Sequence, residues 1–430
     1  MSTSDTTAVQ RLAFSRETVE HLVEHRQEPD WLRQIRLDAF DAFERLPMPD
    51  QRTEGWRRTS LKGLPRLDSL SPLPAVPTPS SLVEEPLAEQ AGASLFAFKN
   101  GMSMREDGTE SGWVMDLQEA LAEPLLAMRI EKHFGKIVPV DADKFTALHY
   151  AFFNSGVVVF IPRGAVLEEP IWVRYEFDDP SQAAFVHTLV MIDDGAEAKV
   201  VEHFTSTTSG LASGVVEQSL GANASLRYTN LQRWSPETWS FSTQRAHLGA
   251  DARLRTLNVA LGARMARNTV QVVLAGRNSE ADLLGIVNSS GRQHTDFETL
   301  QDHFGDGTRS DLIIHDALRD RSSANFTGLI RINKPAHQTA SSQEQKNILL
   351  SEGARADSDP KLEILNNDVV RCTHGAAVGP VDPEMLFYLQ SRGMDRTSAE
   401  QLIVEGFFRS TLEKLGSAPI QDAVWAAIQS

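Results

Sequence analysis

Five short stretches recur through the middle of the chain at nearly even intervals. "GAEAKV" begins at Gly195, "GANASL" at Gly221, "GADARL" at Gly249, "GRNSEADL" at Gly276 and "GDGTRSDL" at Gly305, spaced 26, 28, 27 and 29 residues apart. Each unit reads as a turn, a small residue, then a strand. A fixed period of this length means stacked repeats. One coil cannot bury its inward side chains alone, whereas a stack buries a continuous column and pairs each backbone with the coils on either side. From "GVVVFIPRGAVLEEPIWVRYEF" (Gly156 to Phe177) onward the chain consists of β-branched runs of five to eight residues broken by Gly, Asn and Asp, which is strand composition. The expected fold class is mainly β: a parallel β-helix trunk over 156–375 with two or three short strands per unit. The period leaves the handedness open and also permits an antiparallel meander with the same turn spacing.

Helical segments flank the trunk. "DWLRQIRLDAFDAFERLPMPD" places Trp31, Leu32, Ile35, Ala39, Phe40 and Phe43 on one face, with Asp30 as the expected N-cap and Pro47 as a stop. This gives an N-terminal helical region over 1–68. A linker and mixed segment over 69–155 opens with the Pro- and Ser-rich stretch Ser69 to Pro86 and includes "DLQEALAEPLLAMRIEKHFG", helical by its leucines. After the trunk, Asp382 and Pro383 read as N-cap and first helical residue, Gly393 as a C-cap, and Thr397 with Glu400 as a capping box. The expected C-terminal helical domain covers 376–430.

Composition narrows the function. The net charge of −16 argues against non-specific binding to nucleic acid. The chain contains no apolar run of about 18 residues to span a membrane, and its first residues lack a signal-peptide pattern. A single cysteine excludes an internal disulfide framework and fits a reducing compartment, so a cytoplasmic location is expected. No P-loop and no nucleophile elbow occur. "GDGTRS" departs from a dinucleotide fingerprint after two glycines and reads as a turn. A β-helix is also a scaffold for carbohydrate-active enzymes, but the Asp pairs in "FDDP" and "IDDG" sit at turns, where Asp is favoured for local hydrogen bonding.

The one cysteine lies in "VVRCTHGAAVGP", with His374 two residues after Cys372. In a strand such residues face the same side, and thiolate and imidazole are both good ligands for iron or copper. A lone cysteine is also an ordinary small buried residue. Two ligands do not complete an iron–sulfur site, so a second chain or small thiols would have to finish it.

The run "LEILNNDVVRCTHGAAVGPVDPEMLFYLQSRGM" (Leu362 to Met394) resembles the C-terminal signature of the SufB/SufD family of iron–sulfur cluster assembly scaffolds. "VVVFIPRGAVLEEPIWV" is similar to that family's entry into its β-helix, and "WLRQIRLDAFDAFERLPMPD…EGWRRTSL" resembles the N-terminal region of the SufD branch. The Cys-Thr-His-Gly form and the absence of extra cysteines also look more like SufD than SufB. The resemblance implies a right-handed β-helix and a non-catalytic scaffold subunit. It implies pairing with a SufB-like paralogue, binding of a SufC-like ABC ATPase, and a cysteine desulfurase system as sulfur source. A transient iron–sulfur cluster would form at the SufB–SufD interface, with His374 as candidate ligand and Cys372 as a second candidate. The alternatives are an adaptor of the same complex whose side chains never touch metal and, remotely, a carbohydrate-active enzyme. FADH2 enters by resemblance alone. Phe387, Tyr388, Arg392, Gly393, Phe407 and Phe408 are the candidate ATPase-docking residues, and a homodimer is open to the isolated chain.

Overall fold

The computed structural model describes residues 14–72, 85–104 and 113–429. From Ser155–Ile161 to Val369–Pro380, successive strands alternate between two sheets. Glu197–Ser206 lies in one sheet, Gly210–Leu220 in the other, and Ser225–Trp234 back in the first, parallel to Glu197–Ser206. The trunk is therefore a two-sheeted parallel β-solenoid of about eight turns. The meander alternative is excluded by the parallel pairing. The strands are longer than the apolar runs suggested, mostly ten or eleven residues, because polar residues such as Gln244, Asn268 and Gln301 continue them inward.

The turns explain the repeat. Gly195, Asn223, Asp251, Asn278, Gly307 and Gln338 all have φ between 53° and 68°, and each backbone N–H donates at 2.8 Å to a carbonyl in the next coil. The residue that follows is small and buried: Ala196, Ala224, Ala252, Ser279 and Thr308. This ladder corrects the sequence alignment. Gly195 stacks on Asn223, not on Gly221, so the first interval is 28 rather than 26. Glycine meets the left-handed requirement in one coil and Asn or Asp meets it in others, so matching glycine to glycine shifts the register by two. Gly221, Gly249, Gly276 and Gly305 form a separate stack with no space for side chains; a Cβ on Gly276 would lie 2.1 Å from the Ala250 nitrogen.

The linker expected over Ser69–Pro86 falls largely outside the described residues. Within the preceding and following segments, Ser94–Lys99 adds a parallel strand to one sheet beside Ile171–Phe177, and Val114–Asp116 adds an antiparallel one to the other beside Ser155–Ile161. The leucine-rich stretch breaks at Pro124 into helices Leu117–Ala122 and Pro124–His133. Helix Asp30–Arg45 starts one residue before expectation, with Pro29 at the cap and Asp30 inside the first turn. Trp56 of "EGWRRTSL" stacks on Phe145 and lies under the Arg267 guanidinium, while Thr59 donates to Asp296, fastening the head to the outer face of one sheet. Deeper in the same contact, the Glu217 carboxylate accepts the backbone N–H groups of Gly135, Ile137 and Val138 at 2.7–2.9 Å.

In the tail, Asp382 caps helix Pro383–Ser391 as expected. The next helix runs Arg396–Leu412 and is capped by Asp395, which accepts from Ser398 N–H. Thr397 is inside the helix, and Glu400 pairs with Arg396 rather than closing a capping box. Helices Arg396–Leu412 and Ala418–Gln429 pack Val404, Phe408, Leu412, Ile420 and Val424 against Trp172, Leu231, Leu257 and Ile286 of the trunk.

Candidate functional site

Cys372 and His374 lie on the last strand, Val369–Pro380. Their positions follow from register. Cys372 is the final rung of the ladder Ala198–Leu226–Leu254–Ala281–Ser310–Ser341. His374 ends the neighbouring ladder Val200–Tyr228–Thr256–Leu283–Leu312–Gln343. Every earlier rung of both ladders is buried. In-register parallel neighbours point to the same side, so both residues face the solenoid interior. They stand at the place where that interior opens, because no coil among the described residues covers the last one.

The two side chains differ in setting. Cys372 is half-buried against Ile330, Ile332 and Ala336, and that burial pushes its thiol pKa up. His374 is exposed. Beneath His374, Gln343 is buried and neither its amide oxygen nor its nitrogen has a hydrogen-bond partner among the described residues. Gly328 leaves the space for that amide, since a Cβ there would come within 2.9 Å of Gln343 Oε1. Gln343 was not singled out from sequence, though a count back of one coil from His374 reaches it.

The end of the solenoid is unfinished in two further ways. Among the described residues, Val369–Pro380 pairs only with Thr339–Leu349, and Arg355–Ile364 only with Ser323–Ile332, so each leaves a free edge. Apolar side chains remain uncovered around that edge: Leu362 at 38% exposure, Ile364 at 45%, Val378 at 46% and Val370 at 66%. Leu362 and Ile364 continue the ladders of the buried Ile330 and Ile332. A long, apolar, unpaired edge is a ready template for another strand.

The tail candidates separate. Phe387 is 73% and Tyr388 55% exposed. Arg392 lies over the Tyr388 ring, and Gly393, at φ 94°, ends the helix beside it. Phe407 is half-buried and stacks on His315 with centroids 4.2 Å apart. Phe408 is fully buried in the contact with the trunk, so the expectation that it adds exposed aromatic surface is corrected: its ring anchors the tail. The Asp pairs are used in the turns, Asp178 by Asn100 and Lys99 and Asp194 by the Ala222 N–H. No group of three or more His, Cys, Asp or Glu residues able to hold a metal occurs among the described residues.

Fold and site define a β-solenoid scaffold with one incomplete end, on which a thiol and an imidazole are presented. The comparison with known sequences gives this class its family. The SufBD core domain of the SUF iron–sulfur cluster assembly system matches residues 175–407, and the SufBD N-terminal region matches 97–173. The chain belongs to the SufBD family of iron–sulfur cluster assembly proteins. It is similar to the iron–sulfur cluster assembly protein SufD of Bacillus subtilis, 29% identical over 94% of this chain and 95% of that protein. It also matches SufB of the same organism, at 26% over 96% and 91%, and a SufBD family protein of Mycobacterium tuberculosis, at 30% over 67% and 74%.

Proposed function

We propose that this chain is a SufD-type, non-catalytic subunit whose last coil pairs with a SufB-type paralogue and whose tail docks the SufC-type ABC ATPase. The observation that carries this reading is the unfinished last coil with Cys372 and His374 on its inner face. Two unfinished solenoid ends complete one another. Edge-to-edge pairing satisfies the free N–H and C=O groups and buries Leu362, Ile364 and Val378. A nascent iron–sulfur cluster, supplied with sulfur by a desulfurase system, is the cargo of that joint. His374 is the primary ligand from this side. A neutral imidazole holds iron less tightly than a thiolate does, which suits a cluster that must leave. Cys372 is secondary, because burial disfavours its thiolate. The same edge pairs with a second copy when the chain is isolated, giving a homodimer. The reduced thiol and the cargo chemistry fit the cytoplasm, and no helix among the described residues is long and apolar enough to cross a membrane.

Exposed Phe387 and Tyr388, with Arg392 and Gly393, form the ATPase surface. Aromatic and Arg residues are favoured anchors in such interfaces. Among the described residues, the cavity of about 470 Å3 beside the helical head offers Arg26 but no glycine-rich turn opening a helix to cradle a pyrophosphate, so its lining does not fit a flavin dinucleotide.

The test is co-expression with the paralogue and the ATPase, followed by purification and iron and sulfide analysis. His374→Ala is expected to leave the complex assembled while lowering cluster content, and Cys372→Ser to act more mildly. Normal cluster yield from His374→Ala under iron limitation would sink the ligand role and leave the adaptor reading in its place.

A further inference from the structure

A cavity lies between the helical head and the base of the trunk, lined by none of the residues of the last strand. Its volume of about 470 Å3 lies in the range of small-molecule sites. Its apolar lining is Leu22, Met102, Leu117, Leu121 and Phe153. Its polar lining includes His21, His25 and Arg26 from helix Arg16–Arg26, Asp116 at the start of helix Leu117–Ala122, and Ser155 at the start of the first trunk strand.

Arg26 feels the charges of Glu28 and Asp116 without a direct ion pair to either among the described residues. Glu28 also lines the cavity, but both its carboxylate oxygens are held by Arg36 at 2.6 Å. Arg26 donates one N–H to the Asn154 carbonyl at 2.5 Å and has no carboxylate within ion-pair distance among the described residues. Asp116 accepts from Gln118 N–H at 2.8 Å. Ser155 is 5% exposed and its hydroxyl has no hydrogen-bond partner among the described residues. A buried hydroxyl left unpaired is costly, and such an orphan in a native fold calls for an explanation. Arg26 and Asp116 are each partly buried, while His21 and His25 are exposed. Burial lowers the Arg26 guanidinium to about 10, still charged at neutral pH, and raises the Asp116 carboxyl.

We propose that this cavity binds a small organic monocarboxylic acid, with its carboxylate on Arg26 and the Ser155 hydroxyl and its carbon body along Leu22, Leu117, Leu121 and Phe153. The planar guanidinium fork matches a carboxylate through two parallel N–H bonds. Asp116, electrostatically coupled to Arg26, weighs more heavily against a doubly charged phosphate than against a singly charged carboxylate. His21 and His25, stacked with centroids 6.1 Å apart, bring ring nitrogens to the rim.

The experiment uses the full chain with 4-phenylbutyrate, 4-phenylbutyramide and inorganic phosphate as probes, read by calorimetry and ligand-observed NMR. Saturable binding of the acid is expected, with amide and phosphate at least about tenfold weaker. Arg26→Gln should lose at least about tenfold in affinity for the acid. Arg26 also braces Asn154, so Leu121→Trp provides an independent arm: it adds bulk to the apolar lining, should abolish binding, and should melt like the parent. The proposal is overturned by absence of saturable binding to the parent, by equal binding of acid and amide, by preference for phosphate, or by undiminished binding to Leu121→Trp.

Discussion

Glu202 sits in the solenoid interior, where Thr188 and Tyr228 each donate a hydroxyl to its carboxyl group. Burial raises its pKa to about 7, and it does the same for Asp316. The folded pKa lies above the unfolded value of 4.5, so the native state holds the extra proton. Stability from this group is complete below about 4.5 and is lost as pH rises through about 7. Glu202→Gln keeps the shape and removes the titration. Its stability relative to the parent, measured by urea midpoints, should grow in its favour by on the order of 2 kcal/mol between pH 5 and pH 8. A difference that stays flat with pH would refute the buried-acid account. The chemistry of Cys372 and His374 was legible in sequence through their two-residue spacing. Their accessibility was not, because whether an inward residue is covered depends on whether another coil follows.

Among the elements, the tail is the one whose role changes most when its contacts are known. Its aromatic residues divide between an exposed pair, Phe387 and Tyr388, and the buried anchor Phe408. Phe387→Ser with Tyr388→Ser should therefore abolish ATPase capture in a pull-down while leaving the melting temperature unchanged. Removal of Asp382 onward should destabilise the trunk as well as remove the ATPase surface. It uncovers Trp172, Leu231, Leu257 and Ile286 on the trunk, and a large exposed apolar patch promotes aggregation. A truncated chain that stays monomeric and melts like the parent would contradict that packing. At the other free element, Val370→Lys with Val378→Lys should block pairing with the paralogue without unfolding the monomer, since both side chains are already exposed and charges on an edge strand oppose pairing. Unchanged co-purification would argue against the last coil as the joint.

At the scale of the whole molecule, a solenoid is held by nearest neighbours, so stability is unevenly distributed along it. Hydrogen exchange should be slowest in central coils such as Arg253–Gly262 and Met265–Leu274 and fastest in Arg355–Ile364 and Val369–Pro380, which have a neighbour on one side only. Paralogue binding should then protect the last two strands selectively. Uniform protection along the trunk would contradict nearest-neighbour stacking. Acid should destabilise the molecule as a whole. Burial lowers the pKa of His149, His187, His203 and His303, the last to about 4. The unfolded chain takes up protons first, so their contribution is lost as pH falls below the ordinary histidine value of 6.5.

The sequence by itself determined that the trunk is a stack of coils. Left-handed turn residues followed by small buried ones are local requirements, and local requirements leave a local pattern. It also determined the helical head and tail and the pairing of Cys372 with His374 on one strand face. It did not determine the true phase of the repeat, because Gly, Asn and Asp satisfy the same turn conformation and only backbone pairing shows that Gly195 stacks on Asn223. Nor did it place Gln343 beneath His374 or separate Phe408 from Phe387. Only the tertiary structure decided those, since each depends on which residues lie one coil away or across the trunk surface, separations that no short window of sequence contains.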